Sequence, residues 1–308
     1  MGVTGLERNR SSMEKAFEDA MEARKKDRPP VLWAVYPTGT MAVSVTGAAC
    51  PLKCSHCGGH YLRHMVDIER LPDVLQEKRP KSILLSGGCD TSGAVPLLTH
   101  LDEVAALSRR LETEGRGFRV NVHPGVAAPE AARAIAQTAS VISFDFVLDD
   151  ETIREAFHGK WTGRDYVETL RNLRSGKAEV IPHILVGLYK GRLKGEYDAV
   201  DFLLKEGVGR IIFIVFIPTE NTAWQDYPPP PPEEVASLIA WTRTRAPGLD
   251  ISIGCMRPRG KYRELLDPLA VRAGCDRIVL PHPRALREAE ALGLTVIRKE
   301  ECCSFDHI

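Results

Sequence analysis

The sequence predicts an α/β protein built as a (β/α)8 barrel. Eight short apolar runs alternate with helical patterns along the chain, the arrangement of a parallel sheet covered on both faces. The 308 residues suit one such barrel. The unusual polar residues fall just after the apolar runs, where a barrel gathers its chemistry. An open doubly wound sheet is the alternative arrangement of the same units.

Taken in order, residues 1–30 read as a helical extension. "SSME" offers a capping box from Ser11 to Glu14, and no apolar stretch of the kind a secretory signal carries is present. Strands are expected at 41–47 (MAVSVTG), 82–86 (SILLS), 118–123 (FRVNVH) and 140–146 (SVISFDF). Four more are expected at 180–187 (VIPHILVG), 211–217 (IIFIVFI), 250–254 (DISIG) and 277–281 (RIVLP). Each is short and apolar, and several are rich in β-branched residues. Apolar periodicity predicts helices at 97–115, 165–175 and 233–246. Five prolines, 228–232, stiffen the loop before the last of these, and Pro232 suits a first helical turn. The barrel is expected over 31–290. Residues 291–308 are expected to form a cysteine-containing tail that closes the barrel mouth.

Composition excludes several classes of function. With 41 basic and 41 acidic residues, the chain carries no electrostatic signature of nucleic-acid or anionic-membrane capture. No apolar run approaches the roughly 20 residues of a membrane span. A cytoplasmic protein is expected. Its eight cysteines then point to metal or redox chemistry rather than a disulfide scaffold.

Three of them, Cys50, Cys54 and Cys57, fall inside "AACPLKCSHCGG", directly after the first predicted strand. Thiolates suit zinc and iron–sulfur clusters. Three thiolates on a four-iron cluster leave one iron open, whereas four would close it. A zinc knuckle with a fourth ligand from elsewhere is the alternative, and it makes the chain a zinc-stabilised interaction protein.

The C-x3-C-x2-C spacing of "CPLKCSHC", followed by "LLSGGCD" at the end of the second predicted strand, resembles the radical S-adenosylmethionine enzymes. The resemblance implies a [4Fe–4S] cluster on Cys50, Cys54 and Cys57. Its open iron takes the amino and carboxylate groups of S-adenosylmethionine, which is cleaved to a hydrogen-abstracting 5′-deoxyadenosyl radical. It implies cofactor contacts from Ser86, Gly87 and Gly88. The acidic residue usual after the two glycines is replaced by Cys89, with Asp90 following. The residue before the last motif cysteine is usually a hydrocarbon-like aromatic; here it is His56, placed to pack on adenine.

Within that superfamily the stretches 183–191, 216–241 and 251–281 are similar to the biotin-synthase-like branch. The likeness implies adenine contacts from Val186 and Gly187, and places Ser143 and Asp145 toward the ribose or methionine end of the cofactor. Cys89, Cys255, Cys302 and Cys303 are candidates to hold a second [4Fe–4S] cluster. Ser304 is a further candidate, because lipoyl synthases place a C-terminal serine on their auxiliary cluster. "SGGCD" and "CCSF" resemble the second component of the two-protein lipoyl synthases. That resemblance implies sulfur insertion into an octanoyl chain on a carrier protein, with a sister radical enzyme and an electron donor such as ferredoxin as partners. An isomerase, lyase or cofactor-maturation enzyme with a single cluster is the alternative.

Other residues carry weaker signals. His123 and His183 suit the barrel interior, while His60, His64 and His158 read as surface or packing histidines. Arg257 and Arg259 are candidate carboxylate partners. Cys275 sits in a helix-to-strand turn and reads as packing.

Overall fold

The computed structural model describes residues 5–305. Eleven strands form one parallel sheet: β1 Val31–Val35, β2 Thr40–Ser44, β3 Val66–Asp67, β4 Ser82–Ser86, β5 Arg119–Val122, β6 Val141–Asp145, β7 Glu179–Val186, β8 Arg210–Val215, β9 Asp250–Ile253, β10 Arg277–Val279 and β11 Thr295–Lys299. Their spatial order is β11-β1-β10-β9-β8-β7-β6-β5-β4-β2-β3. All eight expected strands are present, as β2 and β4 to β10. The sheet gains β1, β3 and β11, and instead of closing strand to strand it keeps β3 and β11 as edges.

The chain itself requires the sheet to curl. β1 and β2 lie eight strand spacings apart in the order, about 38 Å in a flat sheet at ~4.8 Å per spacing. Yet only residues 36–39 join them, a link that reaches at most about 19 Å. The sheet therefore bends round until its β1 and β2 sides meet, giving a barrel-like α/β fold.

Helices cover the outside: α1 Gly5–Asp27, α2 Leu71–Glu77, α3 Leu98–Thr113, α4 Pro129–Thr138, α5 Asp150–Phe157, α6 Gly163–Leu173, α7 Glu196–Lys205, α8 Pro232–Arg245, α9 Lys261–Arg272 and α10 Pro283–Ala291. None of the described helices is long and apolar enough to cross a membrane. α1 already runs through Ser11, so "SSME" caps nothing; it lies mid-helix. α1 packs on α8 and α9, with Phe17, Ala20 and Arg24 buried. Its Arg24 pairs with Asp276 (3.3 Å), and Arg28 just beyond pairs with Asp276 and Asp250 (both 3.2 Å), so α1 covers the end at which β9 and β10 begin.

Alternation along each strand sorts the two faces. On β7, Val180, Ile184 and Val186 face the helices, while Ile181, His183 and Leu185 face the interior. On β6, Ile142 and Phe144 face out, and Ser143 and Asp145 face in.

The tail does not fold over the mouth. After β11 it follows the β1–β2 link, where Gly39 donates to the Glu300 carbonyl (2.7 Å), and then enters the interior among the first halves of the strands. Cys302 N–H donates to Thr40 Oγ1 (2.8 Å), Arg210 to the Ser304 carbonyl (3.0 Å), and the Ser304 and Ser143 hydroxyls bond at 2.8 Å. Cys303 and Phe305 are buried against Val35, Val141, Ile181, Ile212 and Val279. The cause is hydrophobic: an interior walled by these side chains leaves a gap that an apolar plug fills. The last expected tail residues, 306–308, lie outside the described residues.

Candidate metal centre

The three-cysteine loop leaves the C-terminal end of β2 and is held on three sides. Toward β4, Gly88 N–H donates to Thr46 Oγ1 (2.7 Å), which donates in turn to the Ala49 carbonyl (2.9 Å). Leu52 N–H reaches the Cys89 carbonyl (3.3 Å). Toward α5, Ser55 N–H donates to the Ala156 carbonyl (2.8 Å), and its hydroxyl lies 2.9 Å from both the Glu155 carbonyl and His158 Nε2. Toward the loop after β8, Trp224 N–H donates to the Ser55 carbonyl (3.1 Å), and the Tyr61 and Thr219 hydroxyls bond at 2.7 Å.

The glycines make this closeness possible. A Cβ on Gly88 would stand 2.1 Å from the Ala49 carbonyl oxygen and 2.7 Å from Cys50 Cα. One on Gly59, where φ is +80°, would stand 3.0 Å from Cys50 Cβ. The paired glycines thus let the start of the thiol loop lie directly on the end of β4.

Cys54 Sγ, Cys57 Sγ and a ring nitrogen of His56 lie within 4.8 Å of one another. The hydrogen bond shared with Cys54, helped by the His56 imidazole, pushes the Cys57 thiol down to about 4, while Cys54 rises with the shared proton and with burial. Cys50 Sγ sits 3.9 Å from the Cys89 carbonyl. The donor set fits an iron–sulfur cluster: three soft sulfurs on one loop, a glycine cradle beneath the first, and a buried His56 Nδ1 that lacks any hydrogen-bond partner. Cys50, Cys54 and Cys57 would hold it.

Below the loop the interior is polar. Burial acts strongly on the Asp145 carboxyl, yet 37% of that side chain is accessible, so open space adjoins it. Burial alone would raise this carboxyl, but His123, His183 and His56 together hold it below its ordinary value. His123 Nε2 lies 3.3 Å from Asp145 Oδ1; against the effect of burial, that carboxylate keeps the imidazole above its usual value. His183 has no such contact, and burial, reinforced by His123, pushes it down to about 4.

The other sequence candidates fall as follows. Ser86 Oγ donates to the His123 carbonyl (2.9 Å) and so ties β4 to β5. His56 meets Phe157 edge to face, with ring centroids 5.7 Å apart. Gly187 has φ +77°, packs on Pro230 and donates its N–H to Glu196 (2.8 Å). Val186 does not line the interior, because strand alternation turns it into the helix-facing core. The Ser143 hydroxyl is taken by Asn121 (3.0 Å) and Ser304 (2.8 Å), so the tail occupies it. Arg257 offers nothing to a carboxylate ligand: it is wholly buried and bonds both oxygens of Asp267 at 2.9 and 2.8 Å. Cys275 packs, with its thiol 2.9 Å from the Arg277 carbonyl.

The four thiols expected on a second cluster divide in this conformation. Cys89 stays beside Cys50, and burial pushes its thiol up to about 12. Cys255 is exposed and Cys303 buried, and each feels the charge of Cys302. Among the described residues, Cys54, His56 and Cys57 are the one group of three metal-ligating side chains with donor atoms within 4.8 Å. Sequence reasoning missed Thr46, Ser55 and Trp224, and read His158 as surface or packing. They bind the loop through neighbours far along the chain, which no local pattern signals.

By sequence, no family model and no curated protein matches the chain. By structure it is similar to methylornithine synthase, with a TM-score of 0.66 at 13% identity, over 94% of this chain and 90% of that one. The chain shares that fold. It is also similar to the FeFe-hydrogenase maturase HydG from Carboxydothermus hydrogenoformans, with a TM-score of 0.62 at 14% identity. That match covers 87% of this chain but 63% of HydG, so the chain spans under two thirds of the maturase.

Proposed function

We propose that the protein is a radical S-adenosylmethionine enzyme with its [4Fe–4S] cluster on Cys50, Cys54 and Cys57. The observation that carries this reading is the three-thiol loop seated on the end of β4 by the contact between Gly88 and Cys50. The fold shared with methylornithine synthase and HydG supports it. When bound, the cluster and cofactor supply one-electron chemistry and hydrogen-atom abstraction. The chain's own residues hold the loop rigid through Thr46 and Ser55, and offer Gly87 and Gly88 to the cofactor. The polar interior at His123, Asp145 and His183 receives the substrate, and the Cys303–Phe305 plug closes it from the far side.

As the finer reading, the reaction is sulfur insertion into an octanoyl chain on a carrier protein, with a sister radical enzyme and a ferredoxin-type donor as partners. Cys302, which packs with Cys303 in the interior and acts electrostatically on Cys255, supports it. The rival is a single-cluster rearrangement or maturation reaction; methylornithine synthase and the maturase HydG are named for activities other than sulfur insertion.

One experiment separates them: iron and sulfide content after anaerobic reconstitution, with 5′-deoxyadenosine measured after adding S-adenosylmethionine and dithionite. About eight irons per chain, falling to about four in Cys50/Cys54/Cys57→Ala, supports sulfur insertion. About four falling to none supports the rival. Wild type without iron, or with iron but no 5′-deoxyadenosine, refutes the radical reading.

A further inference from the structure

We propose that His56 is a positioning residue that donates a ring N–H hydrogen bond to the Cys57 sulfur and so sets the electronic environment of the thiolate loop. This inference deepens the cluster reading and rests on it.

The observations are local and independent of any cofactor. His56 Nδ1 is buried and has no hydrogen-bond partner, a condition that native structures rarely tolerate. A ring nitrogen lies within 4.8 Å of both the Cys54 and Cys57 sulfurs. The ring is not free to turn to solvent for a partner. Phe157 meets it edge to face at 5.7 Å, and the preceding Ser55 is bonded to α5 through its backbone and its hydroxyl. Two cysteine sulfurs stand within 4.8 Å of a ring nitrogen, and a sulfur becomes a strong acceptor once it is a metal-bound thiolate.

The residue type matters. A hydrocarbon aromatic at this position would fill the same space against Phe157 but could donate nothing. Outer hydrogen bonds to a ligating sulfur orient the ligand and tune the metal. On iron–sulfur clusters, hydrogen bonds to sulfur are among the determinants of reduction potential. A donor favours the more electron-rich reduced state, so the His56 N–H should hold the potential up. A direct ligand role is the competing use of the same nitrogen, and it would close the iron that three cysteines leave open.

The test uses the full chain, anaerobically reconstituted, as wild type, His56→Phe and His56→Asn. Phenylalanine keeps the ring and removes the donor; asparagine keeps a donor near the Nδ1 position and removes the ring. Iron content and a spectroscopic reductive titration are measured on each. The expected result is wild-type iron in His56→Phe with a reduced-to-oxidised ratio about tenfold lower at fixed potential, or 59 mV for one electron. His56→Asn should return toward wild type. Loss of iron in His56→Phe with retention in His56→Asn also supports the inference, because the donor is then needed to hold the loop. An unchanged potential in His56→Phe overturns it, as does equal iron loss in both variants, which would show a packing or ligand role. If wild type itself binds no cluster, the reading beneath has failed, and iron content shows that before any variant is compared.

Discussion

Replacing Gly88 by alanine should abolish cluster loading while leaving the chain folded. The new Cβ would stand 2.1 Å from the Ala49 carbonyl oxygen, 2.7 Å from Cys50 Cα and 2.8 Å from Cys50 Cβ. Non-bonded heavy atoms rest at about 3.5 Å, so the Ala49 carbonyl must retreat by about 1.4 Å and Cys50 by about 0.8 Å. The obstruction is largely backbone, and no side-chain rotation relieves it. Retreat also strains the Thr46–Gly88 bond of 2.7 Å and the Leu52–Cys89 bond of 3.3 Å. Overpacking of this kind costs about 1–3 kcal/mol. A domain stable by about 5–15 kcal/mol survives that. Chemistry is less forgiving, since a misplacement of about 1 Å can cost on the order of 100-fold in rate. The assay is iron per chain after reconstitution, 5′-deoxyadenosine formation, and a thermal melt. Gly117→Ala is the control, because a Cβ there meets nothing within 4 Å. Iron and activity within twofold of wild type in Gly88→Ala would refute the claim that this contact seats the loop.

Asp267→Ala should destabilise the protein by about 3–5 kcal/mol, because it strands the fully buried Arg257 guanidinium; a denaturant midpoint near wild type would show the charge to be satisfied otherwise. Phe305→Ala should cost about 3–5 kcal/mol by emptying the plug within the sheet, and a melt within a degree or two of wild type would remove the tail from the core. Stability should also fall as pH drops from about 6.5 toward 4. The unfolded chain takes up a proton at His183 in that window while the folded chain, held to about 4, does not. Urea midpoints at pH 7 and pH 5 check this: His183→Asn should show a shallower decline, and identical declines would exclude His183 as the cause. Ser55→Ala removes the hydroxyl contacts with Glu155 and His158 and should loosen the loop, read as faster proteolysis within residues 45–60; an unchanged digest would place the loop's rigidity elsewhere.

The alternating units were legible because each strand is a short apolar run bounded by turns, a signal contained within a few residues. β1 was not, although "VLWAV" is apolar. It is set between prolines, and no helix separates it from β2, so it reads as a connector until β10 and β11 are seen to pair with it. β11, "TVIRK", is largely exposed and lacks the apolar signature of a buried strand. The three thiols were legible from spacing alone, but what grips them was not, because Ser55 meets residues about a hundred positions away. Val186 was recoverable in principle: once His183 faces inward, strand alternation turns Val186 outward. The course of the tail depends on which gap in the interior remains to be filled, a property of the assembled sheet that local sequence does not carry.

The pairing of β1 has a consequence in time. Its hydrogen-bonded neighbours are β10 and β11, drawn from the last tenth or so of the chain, while the thiol loop begins shortly after β1. Contacts of such long sequence separation form slowly, since the loop they close must be ordered first. During synthesis β1 therefore waits as an unsatisfied edge while the strands from β2 onward are made one after another. The same delay applies to the meeting of the β1 and β2 sides, and with it to the final setting of the loop that follows β2. Metal delivered earlier meets a loop whose footing is unfinished. Assembly of the centre is thus placed at the end of folding, after the slowest strand has found its partners.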